Sequence, residues 1–165
     1  MDVKITLLKN GPKVLPEYAT EGSAGIDIGA AIQKPIHIGP GERILIPSGF
    51  KLEIPIKYEV QIRPRSGLAI KYGITVLNSP GTIDSDYRGE IGVILINHSN
   101  KNFIVNPKDR IAQMVICKIA KMNLVKVSFL NNTERGSGGF GSTGGNNEWS
   151  RFYRWRDRAL CKTYN

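Results

Sequence analysis

Apolar and polar residues alternate along much of this chain with a period of two. Val3, Ile5 and Leu7 alternate with Lys4 and Thr6; Phe50, Leu52 and Ile54 with Lys51 and Glu53; Tyr58, Val60 and Ile62 with Lys57, Glu59, Gln61 and Arg63. That period turns one face of a strand inward and the other toward water. Ile91 to Ile96 and Met114 to Ile119 are nearly continuous apolar runs rich in β-branched residues. Both predict strands buried on two faces, in a sandwich core or at a subunit interface. Between these runs lie turn clusters: Gly39-Pro40-Gly41, Pro47-Ser48-Gly49, Asn78-Ser79-Pro80-Gly81, Asn97-His98-Ser99-Asn100 and Asn106-Pro107-Lys108-Asp109. Such spacing, at roughly ten residues, belongs to sandwiches and jelly rolls. Only Ser66 to Lys71 reads as a helical turn, with Ser66 as its N-cap. The pattern predicts an all-β fold without internal repeats.

Composition divides the chain into three stretches. Residues 1–130 carry the strand pattern. Residues 131–145 are dominated by Gly, Ser, Thr and Asn, with Phe140 as the one large apolar side chain. Such a segment buries too little surface to offset its ordering entropy, so it is expected to be mobile when nothing is bound. Residues 146–165 change again, interleaving Trp149, Phe152, Tyr153 and Trp155 with Arg151, Arg154, Arg156 and Arg158. That mixture suits contact with nucleic acid or a membrane surface, or an extension without function.

The formal charge of +9 points to an anionic partner and does not say which. Five Lys/Arg stand against two Asp/Glu in residues 146–165, so a third of the excess sits there. No apolar stretch is long enough to span a bilayer, and no membrane partner is expected. The N-terminus lacks the apolar core of a secretory signal. Cys117 and Cys161 form neither a disulfide framework nor a metal spacing. A cytoplasmic location is the expectation.

Several short polar blocks carry the candidate chemistry. Asp84 and Asp86 lie between Gly81 and Gly89, a block that predicts a hairpin. In an extended strand they would share a face, and paired carboxylates can make a general base; otherwise they solvate a turn. Arg63-Pro64-Arg65-Ser66-Gly67 gathers two cations, a hydroxyl and a permissive glycine at a helix start, either a phosphate grip or a basic strand end. Arg135 to Gly144 has five glycines in ten residues. It is an anion-wrapping loop or a linker, and lacks the ending of a P-loop. Gln113 sits in an apolar strand, where a buried amide needs partners, and Asp27 between Ile26 and Ile28 raises the same question. His37 and His98 have no metal-ligand company.

Taken with Ala24-Gly25-Ile26-Asp27-Ile28 and Arg110-Ile111-Ala112-Gln113-Met114, these blocks make five in order over residues 24–144. In that order they resemble the motifs of the trimeric dUTP diphosphatase (dUTPase) family. The resemblance implies a jelly-roll-like β sandwich or barrel protomer of the β-clip type, with a flexible Gly-rich C-terminal arm. It implies a homotrimer with shared active sites, dUTP as substrate, and Mg²⁺ held through the substrate phosphates and water rather than by direct protein ligands. The reaction implied is hydrolysis to dUMP and pyrophosphate, which keeps uracil out of DNA and supplies dUMP.

Residue roles follow from the same resemblance. Asp84 matches the acid that activates the attacking water, and Gln113 the glutamine beside the α-phosphate. Arg65, Ser66 and Gly67 match the phosphate-contacting segment. Asn78, Gly81, Thr82 and Ile83 match the hairpin that reads uracil largely through its backbone, and Tyr87 the tyrosine beneath the deoxyribose. Arg135 matches the arm's arginine, Phe140 its base-stacking aromatic, and Gly141, Ser142 and Thr143 its phosphate cap. Asp27 matches a supporting acid. Two rival readings are a dCTP deaminase-type enzyme of the same fold and a non-catalytic nucleic-acid-binding protein. Only the tail, 146–165, suggests nucleic acid, and it lies beyond the point where family members usually stop.

Overall fold

The computed structural model describes residues 1–139. They contain β1 (Lys4–Leu7), β2 (Ile26–Gly29), β3 (Ile36–Ile38), β4 (Arg43–Pro47), β5 (Phe50–Glu53) and β6 (Tyr58–Arg63). These are followed by α1 (Ser66–Tyr72), β7 (Ile74–Val76), β8 (Gly81–Ile83), β9 (Gly92–Asn97), β10 (Phe103–Val105) and β11 (Arg110–Lys118). The fold is therefore all-β with one short helix. The chain divides into two units, Met1–Met122 and Asn123–Asn165. Among the described residues, no helix is long and apolar enough to cross a membrane.

Strands pair mostly with distant partners. A four-stranded sheet runs β2-β11-β6-β8 and a three-stranded sheet β4-β9-β7, with two-stranded pairs β1-β5 and β3-β10. Every pairing is antiparallel. The inward residues form one core that includes Ile28, Ile38, Ile46, Phe50, Ile74, Val93, Leu95 and Ile111. Period two held where it was strongest: Val60 and Ile62 of β6, and Phe50 and Leu52 of β5, are buried while their neighbours are not.

In a single chain the two apolar runs are only partly buried. In β9, Val93, Leu95 and Asn97 are buried, while Gly92, Ile94 and Ile96 are half-buried. In β11 only Ile111 and Ala112 are buried; Gln113 to Cys117 are all half-buried. Each sheet packs through one face, so one chain leaves the other face of these strands partly open to water. Asn97 is the buried polar member. Its Nδ2 donates to Ile38 O at 2.9 Å and Lys101 O at 2.7 Å, and its Oδ1 accepts from Ser99 N at 2.9 Å. An amide so fully bonded costs little to bury and fixes the turn after β9.

The helix starts one residue earlier than an N-cap at Ser66 requires. Arg65 is the N-cap, with extended dihedrals (φ −97°, ψ 125°) and no side-chain cap bond. Gly73 closes the helix at φ 66°, a left-handed conformation that glycine adopts without a Cβ penalty.

Candidate active site

Three of the five blocks meet at the β2 side of the four-stranded sheet. Asp27 lies on β2 directly opposite Gln113 of β11. Its Oδ1 is 3.0 Å from Arg65 Nε and its Oδ2 is 3.1 Å from Arg110 Nη1. Arg65 Nη1 also donates to the Arg110 carbonyl at 2.9 Å. Gln113 Nε2 donates to the Pro64 carbonyl at 3.0 Å, which fixes the chain just ahead of Arg65. These groups are partly exposed, so the ion pairs add about 1 kcal/mol or less each. Their larger effect is geometric: Asp27 sets the plane of the Arg65 guanidinium. Gly25 leaves room for this, because a β-carbon there would press on Gln113 Oε1.

Ser66 and Gly67 open α1 and are exposed. A β-carbon on Gly67 would meet nothing within 4 Å, so the approach to this helix start is open. Backbone N–H groups in a first helical turn have no intrahelical partners and suit an anion.

The other group stands at the opposite edge of the sheet. Gly81 is buried under Asn78 and Ile62, and Thr82 and Ile83 continue β8. The block between Gly81 and Gly89 predicts a hairpin, but β8 pairs only with β6 among the described strands. It then turns, with Tyr87 N donating to Asp84 O at 3.2 Å. Asp84 and Asp86 thus sit in a turn, not on one face of an extended strand. The chain leaves for the other sheet because Ile91 N is captured by Phe50 O at 3.0 Å. Thr82, Ile83, Asp84 and Tyr87 line a recess of about 260 Å³, together with Leu45, Glu90, Gly92 and Ile94. Asp84 is exposed, and no hydrogen bond or ion pair engages its carboxylate among the described residues. Tyr87 is 46% exposed, yet its hydroxyl donates to the Glu90 carbonyl at 3.0 Å.

The register shows how far apart the two groups lie. On β6, Arg63 faces Gln113 of β11 while Val60 faces Ile83 of β8. Asp84 is one step past Ile83. It is therefore displaced from Gln113 by about 13 Å along the strands and about 10 Å across them. One chain does not bring Asp84 and Gln113 to the same phosphorus.

Arg135 belongs to the second unit. Its Nε donates to the Gly138 carbonyl at 2.7 Å, and Gly136 N donates to Thr133 O at 3.0 Å, so the segment curls on itself. Phe140, Gly141, Ser142 and Thr143 lie outside the described residues, as does the basic, aromatic tail.

Sequence reasoning missed Arg110, Gly25, Gly89 and Glu90. Arg110 stood inside a recognised block, but no local spacing joins it to Asp27, 83 positions away. Gly25 stood unremarked inside its block and Gly89 read as the end of a hairpin, and only the side chains crowding them show why a β-carbon does not fit. No group of three or more His, Cys, Asp or Glu is placed to hold a metal among the described residues.

A family model described as dUTPase matches residues 12–144. The chain is 62% identical over 131 residues to the deoxyuridine 5′-triphosphate nucleotidohydrolase of Chlamydia pneumoniae, covering 79% of this chain and 90% of that one. It is 58% identical over 142 residues to the protein of the same name from Rickettsia felis, covering 86% and 96%. The solved structure of Staphylococcus bacteriophage 80alpha dUTPase with dUPNHPP is similar at a TM-score of 0.76 and 27% identity, covering 87% of this chain and 99% of that one. With three of its blocks joined through Asp27 and Gln113, and a fourth lining a recess, this chain belongs to the dUTPase family.

Proposed function

We propose that this chain hydrolyses dUTP to dUMP and pyrophosphate, in a homotrimer whose sites are shared between copies. The observation that carries the reading is the Asp84 carboxylate, without a partner among the described residues, on the wall of a recess with Tyr87 and apart from an arginine-rich cluster that suits phosphate. The relatives named for dUTP hydrolysis and the family match support the substrate.

The chemistry follows from the groups present. Asp84 takes a proton from a water as that water attacks the α-phosphorus in line with the departing pyrophosphate. A positioned carboxylate within reach of the water gives general-base help. Arg65 offsets the charge that shifts to the leaving group, in an orientation already set by Asp27. Gln113 commits one amide proton to Pro64 and keeps its oxygen and second N–H for water or phosphate. Asn78, Gly81, Thr82 and Ile83 form the wall for uracil, and Tyr87 the floor for the deoxyribose. Arg135, Phe140, Gly141, Ser142 and Thr143 cap the phosphates and base from the arm.

Mg²⁺ fits this arrangement as a substrate-borne ion. Asp27 has both oxygens on arginines, and among the described residues no acidic cluster offers a cage. An ion that keeps its waters and binds phosphate oxygens needs no more than a neighbouring carboxylate. When bound, it neutralises charge on the triphosphate.

A second copy supplies what the register withholds, with Asp84 from one chain facing Arg65 and Gln113 of another. The half-open outer faces of β9 and β11 give such copies something to bury. So does the apolar run after β11, where Leu124 is 85% and Phe129 79% exposed.

A pyrophosphate assay with dUTP, dTTP, dCTP and UTP tests the activity; turnover of dUTP alone is expected, and ammonia release from dCTP would replace this reading. Mixing two inactive variants, Asp84→Asn and Arg65→Ala, tests the sharing. Mixed trimers should recover activity, and a mixture as dead as its parts would show that each chain works alone.

A further inference from the structure

Tyr87 poses a problem that its assignment beneath the sugar does not solve. An exposed tyrosine on a turn ordinarily samples several rotamers. A ring that wanders excludes nothing. Here the ring is tied down by its neighbours. Its hydroxyl donates to the Glu90 carbonyl at 3.0 Å, three residues on. The ring folds back over Gly89: a β-carbon at that position would overlap the hydroxyl and Cζ and lie 2.9 Å from Cε2.

The carbonyl that holds the hydroxyl is itself anchored. The Glu90 carboxylate accepts from Gly49 N at 2.8 Å. Ile91 N donates to Phe50 O at 3.0 Å, and Ser48 N donates to Ile91 O at 3.0 Å. Gly49 sits in the β4–β5 turn at φ 76°, with Ser48 and Phe50 buried on either side. Residues 90 and 91 are thereby braced to the core by three hydrogen bonds, and the phenol is pinned to that brace.

We propose that Gly89 and Glu90 are positioning residues for sugar selectivity: Gly89 gives the Tyr87 ring its place, and the Glu90 brace fixes the carbonyl that holds it against the 2′ position. The proposal rests on the reading of Tyr87 as the surface beneath the deoxyribose. Neither residue reacts, and uracil is read by different groups on β8. Sugar choice and base choice therefore separate.

The test compares kcat/KM for dUTP, UTP and dTTP in the full chain. Gly89→Ala displaces the ring and should raise the UTP-to-dUTP ratio about tenfold, the scale on which a pocket separates close analogues. The dTTP-to-dUTP ratio should not move. Glu90→Ala should shift the UTP ratio in the same direction, and Glu90→Gln, which keeps an acceptor for Gly49 N–H, should restore wild-type selectivity. Should Gly89→Ala fail to fold, the Glu90 pair carries the test. Equal rises in the UTP and dTTP ratios would overturn the proposal, since they would mark collapse of the whole wall. An unchanged UTP ratio would overturn it too. If the wild type does not turn over dUTP, the functional reading falls first and this inference with it. Failure in the variants alone removes only the inference.

Discussion

The Asp27 carboxylate has an arginine on each oxygen, whereas the Asp84 carboxylate has no partner among the described residues. Both are aspartates at opposite edges of the four-stranded sheet, Asp27 on β2 and Asp84 in the turn just past β8. The first, on β2, is braced by Arg65 at the cap of α1 and by Arg110 on β11. The second projects from a turn whose backbone is fixed while its side chain is left to the solvent. An acid whose two oxygens are both held by arginines is a good scaffold. An acid on a stiff turn with nothing bonded to it is available to a water. Under the proposed reading, surroundings and not residue type separate the two roles.

The sharpest way to break this contrast is Asp84→Asn. Turnover of dUTP should fall by about 10² to 10⁴, the usual contribution of a general base, while titration with a nonhydrolysable dUTP analogue still shows binding. Near-normal turnover would falsify the role. Removing the arm by truncation after Leu130 should cost about a hundredfold in kcat, as for the loss of a preorganised charge donor. Light scattering should show the oligomer unchanged; a dissociated chain would mean that the arm assembles the protein rather than closing the site.

Asp27→Ala probes the scaffold. It frees Arg65 and Arg110, and should lower kcat/KM by about tenfold, mainly through KM, because the arginine loses its orientation and not its charge. Thermal unfolding should report a loss of about 1 kcal/mol, as expected for partly exposed pairs. A collapse in kcat with KM unchanged would instead make Asp27 a participant in the chemistry.

The smallest effect is expected far from either acid. Lys4 Nζ lies 2.8 Å from Glu53 Oε1 across the β1–β5 pair, and this bond and charge hold the Glu53 carboxyl below its usual range. A carboxylate lowered on folding adds stability above its unfolded pKa and loses it as pH falls through the folded value. Glu53→Gln should leave turnover unaltered. Its melting temperature should differ slightly from the wild type at neutral pH and converge with it in acid. A gap that widened in acid would contradict that linkage.

Some of this was legible in the chain. Strands β5 and β6 and the short helix followed from local pattern, because side-chain periodicity and turn chemistry act within a few residues. The Asp84 block and the arginine-serine-glycine block were recognisable for the same reason. The hairpin expected around Asp84 was not found, since whether a strand pairs with its neighbour in sequence or with β6 depends on distant partners.

What the amino-acid order settled by itself was therefore local: an all-β alternation, the sites of the turns, and which polar blocks interrupt it. The tertiary structure decided which acid is caged and which is free, why Gly25 and Gly89 leave out a β-carbon, and that Gln113 and Asp84 of one chain stand far apart. Those outcomes depend on contacts between residues many tens of positions apart, such as Asp27 with Arg110, and no short-range rule encodes them.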